Sequence, residues 1–300
     1  MRGLSRREFL GGTAGLTAAA ALAPQLRTQA AVVPGLAGAT LSAASYGVAS
    51  ILKAADIFDG FVGLPMAKTL QKIYLGRNQF PSTPSSKLTQ LASVGCQFAV
   101  SVRPTLALAP FEQRKLAQWL DSMKNAGISF RVILYSEANN KVFRTAAQYL
   151  AYWQFYAPTI QAAGIPCCYD PGCNPQSISR ALEFFPSDPA PDELWMDYYA
   201  TSFRGGARID QLIEHAQAAG IPTGLAEWGW HAGPGLTSPM IMPWWTYYCN
   251  YLANLAGQGK LSLGAIYFDA PGGLAQNIIA AANDPRIPGI QKVARAVQQA

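Results

Sequence analysis

Asn125-Ala126-Gly127-Ile128-Ser129-Phe130-Arg131-Val132-Ile133-Leu134-Tyr135 is the stretch on which the fold turns. Upstream, Phe111–Asn125 carries Leu116, Trp119, Leu120 and Met123 at spacings of three and four, the pattern of a helix with one apolar face. Gly127 supplies the left-handed residue that ends such a helix. Arg131–Tyr135 then runs nearly without polar interruption, as expected of a strand buried on both faces in a parallel sheet. The same stop recurs at Ala162-Ala163-Gly164-Ile165-Pro166 and Ala218-Ala219-Gly220-Ile221-Pro222, after helical patterns over Ala146–Ala163 and Ile209–Ala219. A further helical pattern covers Pro243–Leu255.

Working outward, eight strands are expected: Ile57–Gly63, Lys72–Gly76, Gln97–Val102, Ser129–Leu134, Pro166–Asp170, Leu194–Tyr199, Thr223–Ala226 and Leu263–Phe268. Alternation of these with helices over residues 56–300 predicts an α/β protein, a (β/α)8 barrel of the usual ~250 residues. The rival is an open doubly wound sheet, which usually has a Gly-rich nucleotide loop after its first strand. Gly63-Leu64-Pro65-Met66 is not such a loop.

The N-terminus reads as an address. Ser5-Arg6-Arg7-Glu8-Phe9-Leu10 precedes an apolar run from Gly11 to Ala23, and Thr28-Gln29-Ala30 offers a small-residue exit. Residues 1–30 are read as a cleavable twin-arginine export signal, with a periplasmic, cell-wall-associated or extracellular destination. The apolar run is too short to span a bilayer, which takes ~20 residues. Residues 31–55, rich in Gly, Ala and Ser, are read as a linker or N-terminal arm.

Half of the 300 residues are apolar and 13% are charged, so there is ample material for a core. The net charge is +6, and about half of it lies in the export segment, which leaves no concentrated basic stripe for nucleic acid. Only His215 and His231 occur, and the five cysteines (Cys96, Cys167, Cys168, Cys173, Cys249) show no zinc spacing, so neither metal nor cofactor is expected. An oxidising destination would permit a bridge from Cys173 to Cys167 or Cys168. No Gly-x-Ser-x-Gly elbow or Walker loop is present. The chain is read as a monomer.

In a barrel the chemistry gathers at the C-terminal strand ends. Glu137 follows the fourth strand and Glu227 the seventh, in a chain poor in charge. A carboxylate there costs desolvation, and paired carboxylates are what glycoside cleavage uses. Other polar residues at strand ends are Arg103, Ser136, Asn139, Asp197, Tyr199 and Asp269. Arg103 is read either as a partner of Glu227 or as a substrate contact, and Asp170, before Pro171-Gly172, as a turn residue. Trp228 and Trp230 are candidate sugar platforms. Trp244-Trp245 and Tyr247-Tyr248 are read as core and His215 as surface.

Glutamates closing the fourth and seventh strands, with Glu227-Trp228-Gly229 at the seventh, resemble clan A glycoside hydrolases, most of all the mannanase-type family 26 and its actinobacterial relatives. The resemblance implies cleavage of a β-linked oligo- or polysaccharide by a retaining mechanism, with Glu137 as acid/base and Glu227 as nucleophile. Asp197-Tyr198-Tyr199 is similar to the clan's Asp-x-Tyr, which implies that Tyr199 orients the nucleophile. Two departures stand out: Ser136 occupies the place of the Asn or His that precedes the acid/base, and Phe268-Asp269 replaces the strand-eight tryptophan. They keep open a non-catalytic glycan-binding barrel and a barrel hydrolase with a non-sugar substrate that uses Asp170, Asp197 or Asp269. A retaining enzyme should hold its two carboxyl groups about 5–5.5 Å apart, an inverting one ~6.5–9.5 Å.

Overall fold

The computed structural model describes residues 35–46, 48–140, 142–173, 177–200, 209–230, 242–269 and 279–300. Residues 1–30, read as an export signal, and residues 231–241, with His231, lie outside these residues. Among the described residues eight strands alternate with eight α-helices: β1 Leu36–Leu41, α1 Ile51–Val62, β2 Leu70–Tyr74, α2 Ser86–Ala92, β3 Gln97–Val102, α3 Pro110–Asn125, β4 Phe130–Leu134 and α4 Ala146–Ala162. Then follow β5 Cys167–Tyr169, α5 Ile178–Ala181, β6 Glu193–Ala200, α6 Ile209–Ala218, β7 Thr223–Trp230, α7 Met242–Gly257, β8 Gly264–Asp269 and α8 Ile287–Gln299. The strands form one parallel sheet in the order β1-β8-β7-β6-β5-β4-β3-β2. At the seam Gly38 lets β1 approach β2, since a methyl group there would stand 2.3 Å from the Leu70 carbonyl oxygen. The result is a (β/α)8 barrel.

The expected first strand is corrected. Ile57–Gly63 lies in α1, where Ile51, Ala54, Ala55, Phe58 and Val62 form a buried stripe of helical spacing and Gly63 ends the helix at φ 70°. The first strand is Leu36–Leu41, inside the segment read as a linker. The repeated helix stops behave as their sequences imply. Gly127, Gly164 and Gly220 have φ of 68°, 73° and 71°. The N–H of the following isoleucine reaches back to the last helical turn, as in Ile221 to the Ala216 carbonyl at 2.9 Å. No helix among the described residues is long and apolar enough to cross a membrane.

Two cores result. Leu70, Ala99, Ile133, Cys168, Trp195, Ala226, Leu263 and Ile266 fill the barrel interior. A larger sheath, including Trp119, Trp153, Trp228 and Trp245, packs the strands against the helices. Toward the N-terminal strand ends, below the interior apolar layer, Arg131 pairs with Glu193 at 3.1 Å, and Trp195 donates to Glu193 at 2.7 Å. All five cysteines are buried free thiols, so the possible Cys173 bridge does not form.

Candidate active site

The C-terminal end of the barrel holds a residue that the sequence reading passed over. Lys72, in Leu70-Gln71-Lys72-Ile73-Tyr74, points inward with its side chain fully buried. Its ammonium lies 2.9 Å from Ser136 Oγ, 2.8 Å from Asp170 Oδ2, 2.7 Å from Asp197 Oδ1 and 3.4 Å from Glu227 Oε1. One buried cation on β2 thus gathers groups from the ends of β4, β5, β6 and β7. A lone charge in an apolar strand was the available signal, because such a residue is buried only with partners.

Ser136 Oγ lies 2.8 Å from Asp170 Oδ2 and 2.9 Å from Asp197 Oδ2, so its role is to tie the two aspartates together beneath the rim. Asp170 is not a turn residue on the surface: it is wholly buried in this cluster. Burial and neighbouring Asp197 push its carboxyl up to about 8, against the pull of Lys72. It accounts for its place by charge pairing, which its position before Pro171-Gly172 concealed.

Glu227 reaches the cluster through a backbone irregularity. Trp195 pairs with Gly224 and Met196 with Leu225, but Asp197 pairs with Glu227, so Ala226 is an extra residue in β7. A bulge of this kind re-aims side chains. Ala226 fills the barrel interior, and Glu227, which simple alternation would turn outward, points inward beside Asp197. Its Oε2 accepts a short hydrogen bond from the Tyr199 hydroxyl, while Oε1 faces Lys72. Burial raises the Glu227 pKa and Lys72 opposes that rise.

Glu137 stands beyond the end of β4 on unusual backbone. Tyr135 and Glu137 both have left-handed conformations, φ 66° and 55°. For residues other than glycine each costs roughly 1–3 kcal/mol and concentrates at functional sites. The Glu137 N–H is held by the Asp170 carbonyl at 2.8 Å. A methyl group on Gly172 would lie 3.0 Å from Glu137 Oε1 and 2.8 Å from Asn140 Nδ2, so the glycine leaves room for the carboxyl group. Burial raises the Glu137 pKa and the charge of Asp197 adds to it; Lys72, Asn140 and Arg103 pull the other way.

The remaining candidates divide. Arg103 does not pair with Glu227; its guanidinium lies over the rings of Tyr74 and Tyr135, 5.8 and 5.5 Å from their centroids. Asn139 is buried and clamps the loop after β5, donating to the Gly172 and Ser177 carbonyls and accepting from the Gly172 N–H. It supports the site rather than lining it. Asp269 is likewise structural: it accepts from the Tyr46 hydroxyl and, at 2.7 Å, from the Ile279 N–H. Trp228 is not a sugar platform. With Glu227 inward, Trp228 faces the helices and is fully buried, stacked on Trp245 and edge-on to Tyr267. The side chain of Trp230 lies outside the described residues. Trp245 and Tyr248 are core as expected, whereas Trp244 and Tyr247 are exposed. His215 is a surface residue packed edge-on to Phe185. An aromatic that the sequence reading missed, Tyr74, ends β2 with 41% of its surface open.

Among the described residues no group of three or more His, Cys, Asp and Glu is arranged to hold a metal ion. Asp170 and Asp197 converge, but the position between them is filled by the Lys72 ammonium, and Asp269 is engaged elsewhere.

The sequence matches no protein-family model and no curated protein. Solved structures do share its fold. A GH26-CBM35 β-(1,4)-mannanase from Podospora anserina is similar over 88% of this chain and 61% of its own, at 15% identity and TM-score 0.51. The chain therefore spans less than two thirds of that protein's length. A modular endo-β-1,4-mannanase of glycoside hydrolase family 26 from Cellulomonas fimi covers 87% of this chain, and 70% of its own length is matched, at 14% identity and TM-score 0.54. A family 5 xyloglucanase from Paenibacillus pabuli covers 88%, and 98% of its own length, at 11% identity and TM-score 0.54. The barrel fold is thus one that family 26 mannanases and a family 5 xyloglucanase share.

Proposed function

We propose that the protein is an exported retaining glycoside hydrolase acting on a β-linked glycan. The observation that carries the reading is the placing of two glutamates, from the ends of β4 and β7, around one buried ammonium. Burial raises the Glu227 pKa, and Lys72 and the Tyr199 hydroxyl work against that rise in favour of the carboxylate. Glu137 is desolvated beside Asp197, which favours its protonated form. Retention needs one carboxylate and one carboxylic acid.

In the first step a Glu227 oxygen attacks the anomeric carbon as the glycosidic bond breaks, and Glu137 gives its proton to the departing oxygen. In the second, Glu137 takes a proton from water, whose oxygen displaces Glu227 from the anomeric carbon. Tyr199 holds Glu227 in line, Lys72 keeps it charged, and the Ser136-tied aspartates fix Lys72. The arginine pair at the N-terminus supports export, which N-terminal sequencing of the secreted form tests.

A second reading has one observation in its favour: an ammonium 3.4 Å from Glu227 makes that carboxylate a structural counter-ion in a non-catalytic glycan-binding barrel. The same experiment separates the two. Incubation with a panel of mechanism-based fluoro-sugars should leave a label that peptide mapping locates on Glu227. A broad panel that yields neither label nor reducing sugar overturns the enzymatic reading.

A further inference from the structure

Between Asp59 and Glu112 the chain holds no acidic residue, but five cations: Lys68, Lys72, Arg77, Lys87 and Arg103. Two are neutralised, Lys68 by Asp56 and Lys72 by the buried carboxylates. Among the described residues the other three have no carboxylate within ion-pair distance. Arg103 instead lies over two tyrosine rings with its Nε buried and unpartnered, and Arg77 stands exposed in the loop after β2.

This segment walls a cavity of about 730 Å³ at the ends of β1 and β2. Its lining includes Thr40, Lys72, Tyr74, Gln79, Phe80 and Lys87, and no carboxylate. Lys72 belongs both to this wall and to the carboxylate cluster, so the cavity adjoins the candidate active site. The exposed Tyr74 ring offers an apolar face. The Thr40 hydroxyl is buried without a hydrogen-bond partner among the described residues. The half-buried Lys87 ammonium touches the Leu41 carbonyl at 3.0 Å, which leaves it donors to spare. Burial lowers its pKa, as for a cation short of a counter-ion.

We propose that this cavity is a subsite for a sugar residue carrying an anionic group, its ring laid against Tyr74 and its anion paired with Lys87. A carboxylate, a sulfate ester and a phosphate ester share the chemistry that Lys87 would recognise; Gln79 and Thr40 supply hydrogen bonds to the ring hydroxyls. The inference rests on the glycosidase reading for the direction of the glycan, but not for binding itself.

The full chain carrying Glu227→Gln, which retains bound saccharide, is titrated calorimetrically with a hexuronate oligosaccharide and with the same oligosaccharide after reduction of its carboxyl groups to alcohols. Sulfated and phosphorylated oligosaccharides and inorganic sulfate form further arms. The acidic ligands should bind about tenfold more tightly than the neutral one, as one charge-assisted hydrogen-bonded pair permits, with a preference that shrinks as salt is raised. Adding Lys87→Met should abolish the preference and Lys87→Arg restore it. Equal affinity for acidic and neutral ligands, binding of neither, or a preference that survives Lys87→Met or ignores salt overturns the proposal. So does inorganic sulfate binding as tightly as the oligosaccharides, since the ring would then contribute nothing. Should Lys87→Met fail to fold, Lys87→Arg and the salt titration decide. Labelling of Glu227 by a fluoro-sugar together with indifference to charge sinks this subsite alone; acidic preference without labelling sinks the enzymatic reading alone.

Discussion

The barrel buries charge at both ends, and the two ends solve the problem differently. At the lower end Arg131 meets Glu193, one cation for one carboxylate, with the Trp195 indole donating to the same oxygen. At the upper end Glu137, Asp170, Asp197 and Glu227 crowd around a single buried ammonium, with Arg103 standing off over tyrosine rings. A balanced pair serves the fold. An excess of carboxylates cannot all ionise in a desolvated space, so some must keep protons. In the proposed reaction that unequal sharing would supply the acid beside the nucleophile. The backbone agrees: Glu137 and its neighbour Tyr135 sit in left-handed conformations at the upper end, beside the groups they position.

The sharpest way to break this comparison is to make the same substitution at both ends. Glu227→Gln should lower kcat by roughly 10⁴-fold or more, as removal of a nucleophile does, with little change in melting temperature. Glu193→Gln should do the reverse. It strands Arg131 and should cost about 3–5 kcal/mol of stability, the usual result of removing one partner of a buried pair, while the folded protein turns over normally. Chemical denaturation alongside steady-state kinetics reads both. Glu137→Gln should come next, with a loss of roughly 10²–10⁴-fold on glycosides with poor leaving groups. The loss should be much smaller for an activated aryl glycoside, whose departure needs no proton.

Lys72→Gln tests whether the upper cluster depends on its cation. Glu227 must be ionised to attack, so activity falls as pH drops through its pKa. Burial raises that pKa and Lys72 holds it down. Without the ammonium the pKa must rise further, so the acidic limb of kcat/KM moves to higher pH. The basic limb reports loss of the Glu137 proton. Since Lys72 also opposes the elevation of Glu137, that limb moves up as well. A profile displaced upward on both sides, by about a pH unit or more given the usual strength of a close opposite charge, is expected from a pH–rate series. A uniform loss with unmoved limbs would mean that Lys72 serves folding alone.

Local chemistry was legible in the sequence and long-range geometry was not. Val132–Leu134 and the Gly127, Gly164 and Gly220 stops announce their structure through neighbours in the chain, so the barrel could be read from them. Leu36-Ala37-Gly38-Ala39-Thr40-Leu41 could not be recognised as a strand. It lacks β-branched apolar residues and is a strand because β8 pairs with it and Gly38 lets β2 come close. Asp197, Tyr199 and Glu227 were legible as site candidates from their strand-end positions. That Glu227 points inward, and Trp228 outward into the core, depends on one extra residue at Ala226, which alternation cannot reveal. Lys72 was visible as a lone charge among apolar residues, but its partners come from four other strand ends. Asp170 resembles a turn residue in sequence, and both it and the strand-end Asn139 owe their roles to the partners that folding brings.

Asp269 offers the smallest and cleanest test, because it is a buried acid at the same rim that belongs to neither cluster. It accepts from the Tyr46 hydroxyl and the Ile279 N–H, and burial pushes its carboxyl up to about 7. The unfolded chain has an ordinary Asp near 3.8. Between these values the folded protein keeps a proton that the unfolded chain releases, so stability is full below about pH 4 and declines as pH rises toward 7. The slope from this group is at most about 1.4 kcal/mol per pH unit. Asp269→Asn keeps an acceptor for Ile279 but cannot titrate, so in urea unfolding followed from pH 4 to pH 8 its stability should decline less steeply than that of the unaltered chain. Asp170, pushed up to about 8 inside the upper cluster, should leave a residual decline in the variant that continues past the point where Asp269 has finished titrating. Equal slopes for the two chains would show that Asp269 is ionised in the folded protein. In that case burial alone does not set protonation at this rim, and the proton sharing assigned to the upper cluster must come from carboxylate crowding.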